Sequence, residues 1–348
     1  MKDDDSLVSR FDSLLLDLDG VIYVGSDPVP HATASLLAAA KAGVRLVYVT
    51  NNASRPPNVV ADQLASMRLP ADVADVVTSA QAGATLVSQQ VEPGARVLAV
   101  GGPGVAAALK EKGLIPVDAQ SSEMPDAGDD VVAVLQGFGK TVNWAALARA
   151  SRAILDGVIW VATNDDMSIP TPYGLAPGNG ALVAAVATAT GTTPEVVGKP
   201  NPPLFQEAVG RTGGSLKPLV VGDRIDTDIQ GAANSDMESL LVFTGVSQPL
   251  DLWRAPVASR PDHVGDDLRA LLEPPLRVHF DDEGATCGDS WAGIRNRRLE
   301  VTPGTSRAAA TWAAAQVIWR AGTVPDNAPD VAAGLLVTRS EDAAGTSD

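Results

Sequence analysis

Residues 14–16 are Leu-Leu-Leu, and the run stops in Asp17-Leu18-Asp19-Gly20. A short, uninterrupted apolar run reads as a strand buried on both faces. Carboxylates are almost never buried without partners. Two of them at the mouth of a core strand therefore need an explanation. A helix N-cap or an Asx turn closed by Gly20 accounts for one isolated Asp-Gly pair. That account weakens here because further apolar runs end in polar residues of complementary chemistry.

The run 44–49 ends in Thr50-Asn51-Asn52-Ala53-Ser54-Arg55, and Val196-Val197 lead into Gly198-Lys199-Pro200. The run 219–221 ends in Gly222-Asp223-Arg224-Ile225-Asp226-Thr227-Asp228, and 240–243 ends in Thr244-Gly245. Helical stretches alternate with these runs at 32–42 (stopped by Gly43), 59–67 and 203–210, and 73–78 reads as a further short strand. Such alternation is the signature of a parallel α/β sheet. A second α/β cycle occupies 79–190, with strands at 95–100, 130–135 and 158–162 and helices at 105–112, 144–155 and 181–190. Its loop 168–180 is rich in Pro, Gly and Tyr. Gly101, Gly102 and Gly104 miss the dinucleotide pattern Gly-x-Gly-x-x-Gly, because 103 is Pro and 107 is Ala, so they read as a strand-to-helix turn. After Pro274-Pro275 come one expected strand at 277–280, a basic stretch at 295–298 read as a solvated face, and an Ala/Trp-rich helix at 306–320. The polar tail from Ser340 reads as frayed.

In open parallel sheets, ligands bind beyond the carboxyl ends of the strands. Asp17/Asp19, Thr50/Asn51, Lys199 and Asp223/Asp228 all stand at such ends. Each has a bland alternative: a helix cap for Thr50-Asn51, a solvated lysine for Lys199, a turn and an N-cap for Asp223 and Asp228. Taken together they fit phosphoryl transfer. Clustered carboxylates bind a hard cation such as Mg²⁺. An aspartate can attack phosphorus, and a second acid two residues on can move protons. A hydroxyl, an amide and a lysine can hold phosphoryl oxygens. Like charges about 4 Å apart repel by roughly 4 kcal/mol at an effective dielectric of 20. A phosphate facing these carboxylates thus requires the divalent cation and Lys199. The formal net charge of −16 opposes nucleic acid and anionic membrane surfaces. Cys287 is the one cysteine, so no internal disulfide forms. No apolar stretch is long enough to span a bilayer, and the acidic N-terminus lacks a signal-peptide segment, so a cytoplasmic protein is expected.

These residues resemble the four motifs of the haloacid dehalogenase (HAD) superfamily: Asp17-Leu18-Asp19-Gly20-Val21, Thr50-Asn51-Asn52, Lys199 within Val197-Gly198-Lys199-Pro200, and Gly222-Asp223-Arg224 with Thr227-Asp228-Ile229. The long insertion resembles the α/β cap of the para-nitrophenylphosphatase-like branch, subclass IIA. Asp-Gly-Val-Ile-Tyr at 19–23, Ala162-Thr163-Asn164 and Gly178-Asn179-Gly180 carry that likeness. The resemblance implies an α/β fold: a Rossmann-like parallel sheet core, a large inserted α/β cap and a small C-terminal α/β extension. The expected boundaries are core 1–78 and 191–274, cap 79–190 and extension 275–348.

By the same resemblance Asp17 is the nucleophile and Asp19 the general acid/base. Asp17, the Asp19 backbone carbonyl and Asp223 hold Mg²⁺. Thr50, Asn51 and Lys199 bind the phosphoryl group. Asp228, Gly20, Asn52 and Arg55 support the site, and Asn164, Asp165, Gly178 and Asn179 belong to the cap substrate loop. The expected partner is a small phosphorylated metabolite, with glycerol 3-phosphate favoured over phosphoglycolate, pyridoxal phosphate and nucleotides. Loop residues 165–173 contain no Lys or Arg, which suits a polyol leaving group. Neither nucleic acid nor a membrane is expected as a partner, and homo-oligomerisation is left open. Phosphotransfer or isomerisation on the same scaffold, and a non-catalytic scaffold role through 276–348, are the rival classes. The extension shows no pyrophosphate-binding loop, so acyl-CoA binding is not expected, and a structural or oligomeric role is its default.

Overall fold

The structure is a computed structural model that describes residues 5–120, 130–171 and 173–342, with only the backbone described for 337–342. The chain divides into two compact units, Met1–Arg45 with Leu216–Asp348, and Leu46–Ser215.

In the first unit, Ser13–Leu16 lies parallel to Pro218–Gly222, which lies parallel to Glu238–Val242, which lies parallel to His263–Gly265. Leu14, Leu15 and Leu16 are buried, as are Leu219, Val220, Val221, Leu240 and Leu241. Both faces of these strands are covered, which is why their sequences are solid apolar runs without alternation. Leu16 pairs with Val221 and Val221 with Leu240, so the strands end level. Asp17 N–H still donates to Val221 O at 2.9 Å. Beyond it the chain knots tightly: Ile22 N–H donates to Leu18 O and Gly20 N–H to Tyr23 O. A small hairpin of Tyr23–Val24 with Asp27–Pro28 follows. The strand His263–Gly265 is too short and too polar at His263 to have been read as one.

The extension is richer than the single expected strand and helix. Val278–Phe280, Ala285–Cys287, Ser290–Arg295 and Arg298–Thr302 form an antiparallel meander, followed by helices Arg307–Ala321 and Ala328–Asp342. The basic stretch 295–298 is a hairpin turn. Asn296 and Arg297 have φ of 51° and 62° and join two strands whose ends, Arg295 and Arg298, pair. Two positive-φ residues make the turn that matches strand twist, but Asn-Arg lacks the glycine that usually announces it. Ser340–Asp342, expected to be frayed, continue the last helix, and 343–348 lie outside the described residues.

The extension shares one core with the rest of its unit. Ile225, Ile229, Leu241, Phe243, Leu252 and Trp253 cluster with Cys287, Ala292, Leu299, Ala309, Trp312 and Ile318. Trp253 donates its indole N–H to Thr311 O at 3.0 Å. Burial pushes the Cys287 thiol up to about 11, which leaves it inert at neutral pH.

In the second unit, Arg45–Thr50 runs parallel to Val76–Thr78, with Thr50 opposite Thr78. A separate parallel sheet runs in the order Glu195–Val196, Ile159–Ala162, Val131–Gln136, Arg96–Val100, Ile115–Asp118. Its helices Trp144–Leu155 and Asn179–Thr190 contribute Ala146, Ala150, Ile154, Val183 and Val186 to a core with Leu98, Val134 and Trp160. The loop 168–180 is in part a hairpin, Ser168–Thr171 against Gly174–Pro177, and Pro172 lies outside the described residues. Among the described residues no helix is long and apolar enough to cross a membrane.

Because Trp253 is 1% exposed and central to the shared core, Trp253→Ala is expected to cost about 3–5 kcal/mol in equilibrium urea unfolding. A chain ending at Pro274 exposes the same apolar face and is expected to aggregate. Recovery of that fragment as a monodisperse, cooperatively unfolding species would contradict the shared core.

Candidate active site

The level strand ends of the first unit bring three acids together. Asp17, Asp223 and Asp228 each offer a carboxylate oxygen, all within 4.8 Å of one another. Asp17 is half-buried, and Asp223 and Asp228 are buried. At that spacing each charged pair repels by about 3 kcal/mol at an effective dielectric of 20. Backbone donors offset part of the cost. Val246 N–H donates to Asp223 Oδ2 at 2.6 Å, and Arg224 N–H donates to Asp228 Oδ2 at 3.1 Å. An all-oxygen donor set facing one point suits a hard divalent cation, and Mg²⁺ fits it.

The backbone around these acids leaves no room for a side chain. Gly20 has φ of +85°, and a Cβ there would stand 2.7 Å from Asp223 Oδ2. A Cβ on Gly245 would stand 2.0 Å from the same oxygen. Thr244 and Gly245 are site-forming residues that the sequence reading passed over. Thr244 Oγ1 donates to Gly20 O at 2.6 Å, and Ser247 N–H donates to Asp223 O at 3.0 Å. The available signal was positional: a fifth apolar run ending in a polar residue, like the other four.

Asp19, two residues past Asp17, is exposed, and its side chain is not in the acidic cluster. Asp226 also stays out of it: Arg224 binds it through two hydrogen bonds of 3.0 and 2.7 Å and holds its carboxyl below the usual range.

The second unit assembles Asn51 and Lys199. Lys199 N–H donates to Asn51 Oδ1 at 2.8 Å, and Asn51 Nδ2 donates to Lys199 O at 3.1 Å. This reciprocal pair mimics a strand ladder across 148 residues of sequence. Gly198 permits the approach, since a Cβ there would lie 2.8 Å from Asn51 Oδ1. Thr50 is buried, and its Oγ1 accepts from Asn52 N–H at 3.0 Å. Asn52 Oδ1 in turn accepts from Ser54 N–H and Oγ–H. Arg55 donates to Gln63 Oε1 at 2.7 Å. Lys199 is 4% exposed.

Asn164 and Asn179 are buried, with their amides bound to backbone carbonyls. Asn164 Nδ2 donates to Asn51 O at 2.7 Å, and Asn179 Nδ2 donates to Asn164 O at 2.7 Å. Gly180 N–H donates to Asp166 O and Gly178 N–H to Met167 O, which ties the start of the helix Asn179–Thr190 to the same loop. Asp165 is exposed.

These sites sit on a chain that matches known proteins. A model described as haloacid dehalogenase-like hydrolase matches residues 14–115, and one described as HAD-hydrolase-like matches 196–271. The chain belongs to the haloacid dehalogenase-like hydrolases and, within them, to the phosphatases. It is 46% identical over 266 residues to the D-glycerol 3-phosphate phosphatase of Mycobacterium tuberculosis, covering 76% of this chain and 72% of that protein. A crystal structure of a glycerol phosphate phosphatase from M. tuberculosis in complex with magnesium superposes with a TM-score of 0.78 at 38% identity, covering 92% of this chain and 94% of that one. The p-nitrophenyl phosphatase from Archaeoglobus fulgidus has a TM-score of 0.68 at 28% identity, covering 75% and 98%. The expected superfamily, branch and parallel α/β fold are borne out.

Asn51→Ala removes both hydrogen bonds to the Lys199 backbone and leaves a part-buried N–H and C=O without them. It is expected to lower stability by about 2 kcal/mol, read as a lower urea midpoint at unchanged m-value.

Proposed function

We propose that the chain hydrolyses a small phosphomonoester, glycerol 3-phosphate in the first place, with Mg²⁺ as cofactor and Asp17 as nucleophile. The observation that carries this reading is the three-carboxylate cluster at the level ends of buried parallel strands, with exposed Asp19 two residues beyond Asp17. Asp17, Asp223 and the Asp19 carbonyl would hold Mg²⁺, with Asp228 in support, and the ion would supply charge neutralisation and polarisation of the phosphoryl group.

Asp17 attacks phosphorus in line, forming one P–O bond as the bond to the alcohol oxygen breaks. Asp19 gives its proton to the departing alcohol. It then takes a proton from water, which attacks phosphorus and releases inorganic phosphate and free Asp17. Thr50, Asn51 and Lys199 serve the phosphoryl oxygens, and the reciprocal bonds to Asn51 make the Lys199 backbone rigid. Residues 79–190 act as the cap. Loop residues 165–173 lack Lys and Arg, which supports a neutral polyol leaving group over one carrying a second anion. The glycerol phosphate named for the M. tuberculosis relative supports the same choice.

Phosphate release is measured with Mg²⁺ over glycerol 3-phosphate, phosphoglycolate, pyridoxal phosphate and nucleotides. Glycerol 3-phosphate is expected to give the highest kcat/KM. Asp17→Asn and exhaustive EDTA treatment are each expected to reduce release to background, with Mg²⁺ restoring only the EDTA-treated wild type. Turnover by Asp17→Asn would remove the nucleophile assignment. A higher kcat/KM for phosphoglycolate would replace the substrate and leave the chemistry standing.

A further inference from the structure

The helix Arg307–Ala321 of the extension begins beside the acidic cluster's supporting loop. Its N-cap, Ser306, accepts from Ala309 N–H at 3.1 Å. Asp266 accepts from Ser306 Oγ–H at 3.0 Å and from Ala308 N–H at 3.1 Å. A carboxylate at this end of a helix also meets the positive end of its dipole. The first turn is therefore held in place, and with it Arg307, whose side chain is 12% exposed.

Arg307 Nε stands 3.5 Å from Asp266 Oδ1, and Nη2 donates to the Phe243 carbonyl at 2.8 Å. Its Cζ lies 5.5 Å from the centre of the Phe243 ring. That carbonyl and Thr244 N belong to one planar peptide unit, so fixing the oxygen fixes the direction in which residue 244 leaves the strand. The next residues are those that hold Asp223: Thr244 on Gly20 O, Gly245 packed against Oδ2, Val246 N–H on Oδ2 and Ser247 N–H on the backbone oxygen. Ser247 Oγ also accepts from Ile225 N–H at 3.1 Å, two residues past Asp223.

We propose that Arg307 is a positioning residue for the metal-binding carboxylates: it fixes the Phe243 carbonyl, the 244–247 loop follows, and the loop aims Asp223. The inference rests on Asp223 being a metal ligand. It gives the extension a specific part in the site, although Arg307 lies beyond residue 271, where the second matched segment ends.

Calorimetric titration of the full-length chain with Mg²⁺, without substrate, tests it. Groups that orient metal ligands typically change metal affinity by about 10–100-fold. Arg307→Met keeps the packing on Phe243 and removes the donor, and it is expected to weaken Mg²⁺ binding by about tenfold with an unchanged near-UV circular dichroism spectrum. Arg307→Lys keeps a charged donor beside Asp266 and is expected to recover part of the loss. It also carries the decision if Arg307→Met folds poorly. An unchanged Mg²⁺ affinity in folded Arg307→Met, or in Arg307→Lys where Arg307→Met cannot be measured, overturns the positioning role even with a lowered melting temperature. Asp223→Asn is measured alongside. Wild-type Mg²⁺ affinity there would overturn the ligand assignment itself, a separate failure from that of Arg307.

Discussion

The 2.6 Å hydrogen bond from Val246 N–H to Asp223 Oδ2 joins a buried charge to the loop after the strand Glu238–Val242. Asp223 is fully buried and shares a 4.8 Å cluster with two more acids. Such a cluster is unfavourable unless donors and a cation meet it. Backbone N–H groups are the donors that add no charge and no side-chain entropy, so the chain must run tightly past the acids. That requirement fixes the glycines at 20 and 245, where a Cβ would collide with Asp223 Oδ2. Local sequence, strand register and chemistry are thus linked through one carboxylate.

The parts of the site that sequence reveals are those attached to long apolar runs. Leu14–Leu16 and Leu219–Val221 are solid because both faces are covered, and the acids that end them stand out against that background. Thr244-Gly245 follows a run of the same kind, yet Thr-Gly is also what an ordinary turn looks like. Only the contacts to Gly20 and Asp223 separate the two. The extension was legible in one strand and one helix, the strand expected at 277–280 being Val278–Phe280 and the helix expected at 306–320 being Arg307–Ala321. Ala285–Cys287 is three residues long, too short to show a period. The Asn296-Arg297 turn depends on two positive φ values that no composition rule assigns to arginine.

In the second unit three asparagine side chains act on backbone atoms. Asn179 binds Asn164 O, Asn164 binds Asn51 O, and Asn51 binds both backbone groups of Lys199. An asparagine side chain presents one donor face and one acceptor face, as a peptide does. It can therefore close a gap between loops where no ladder forms. Sequence marks these asparagines as polar residues after strands, and that is compatible with either ligand contact or support. The hydrogen bonds give each of the three a contact to backbone.

The two matched family segments end at residue 271, and the first unit's core does not. Ile225 and Ile229 belong to the π-helical turn Ile225–Ile229, which also carries Asp228 and begins two residues after Asp223. Both pack in the same cluster as Ala309, Trp312 and Ile318 of the extension. Close-packed cores transmit small displacements because they have few voids to absorb them. A turn anchored on one side by extension side chains and carrying acids on the other cannot shift independently of the extension. The geometry of the acids in a family motif can therefore depend on residues outside the segments that the family models match. In this chain the dependence runs along a short path: Asp266 to the helix start, Arg307 to Phe243, and the 244–247 loop to Asp223.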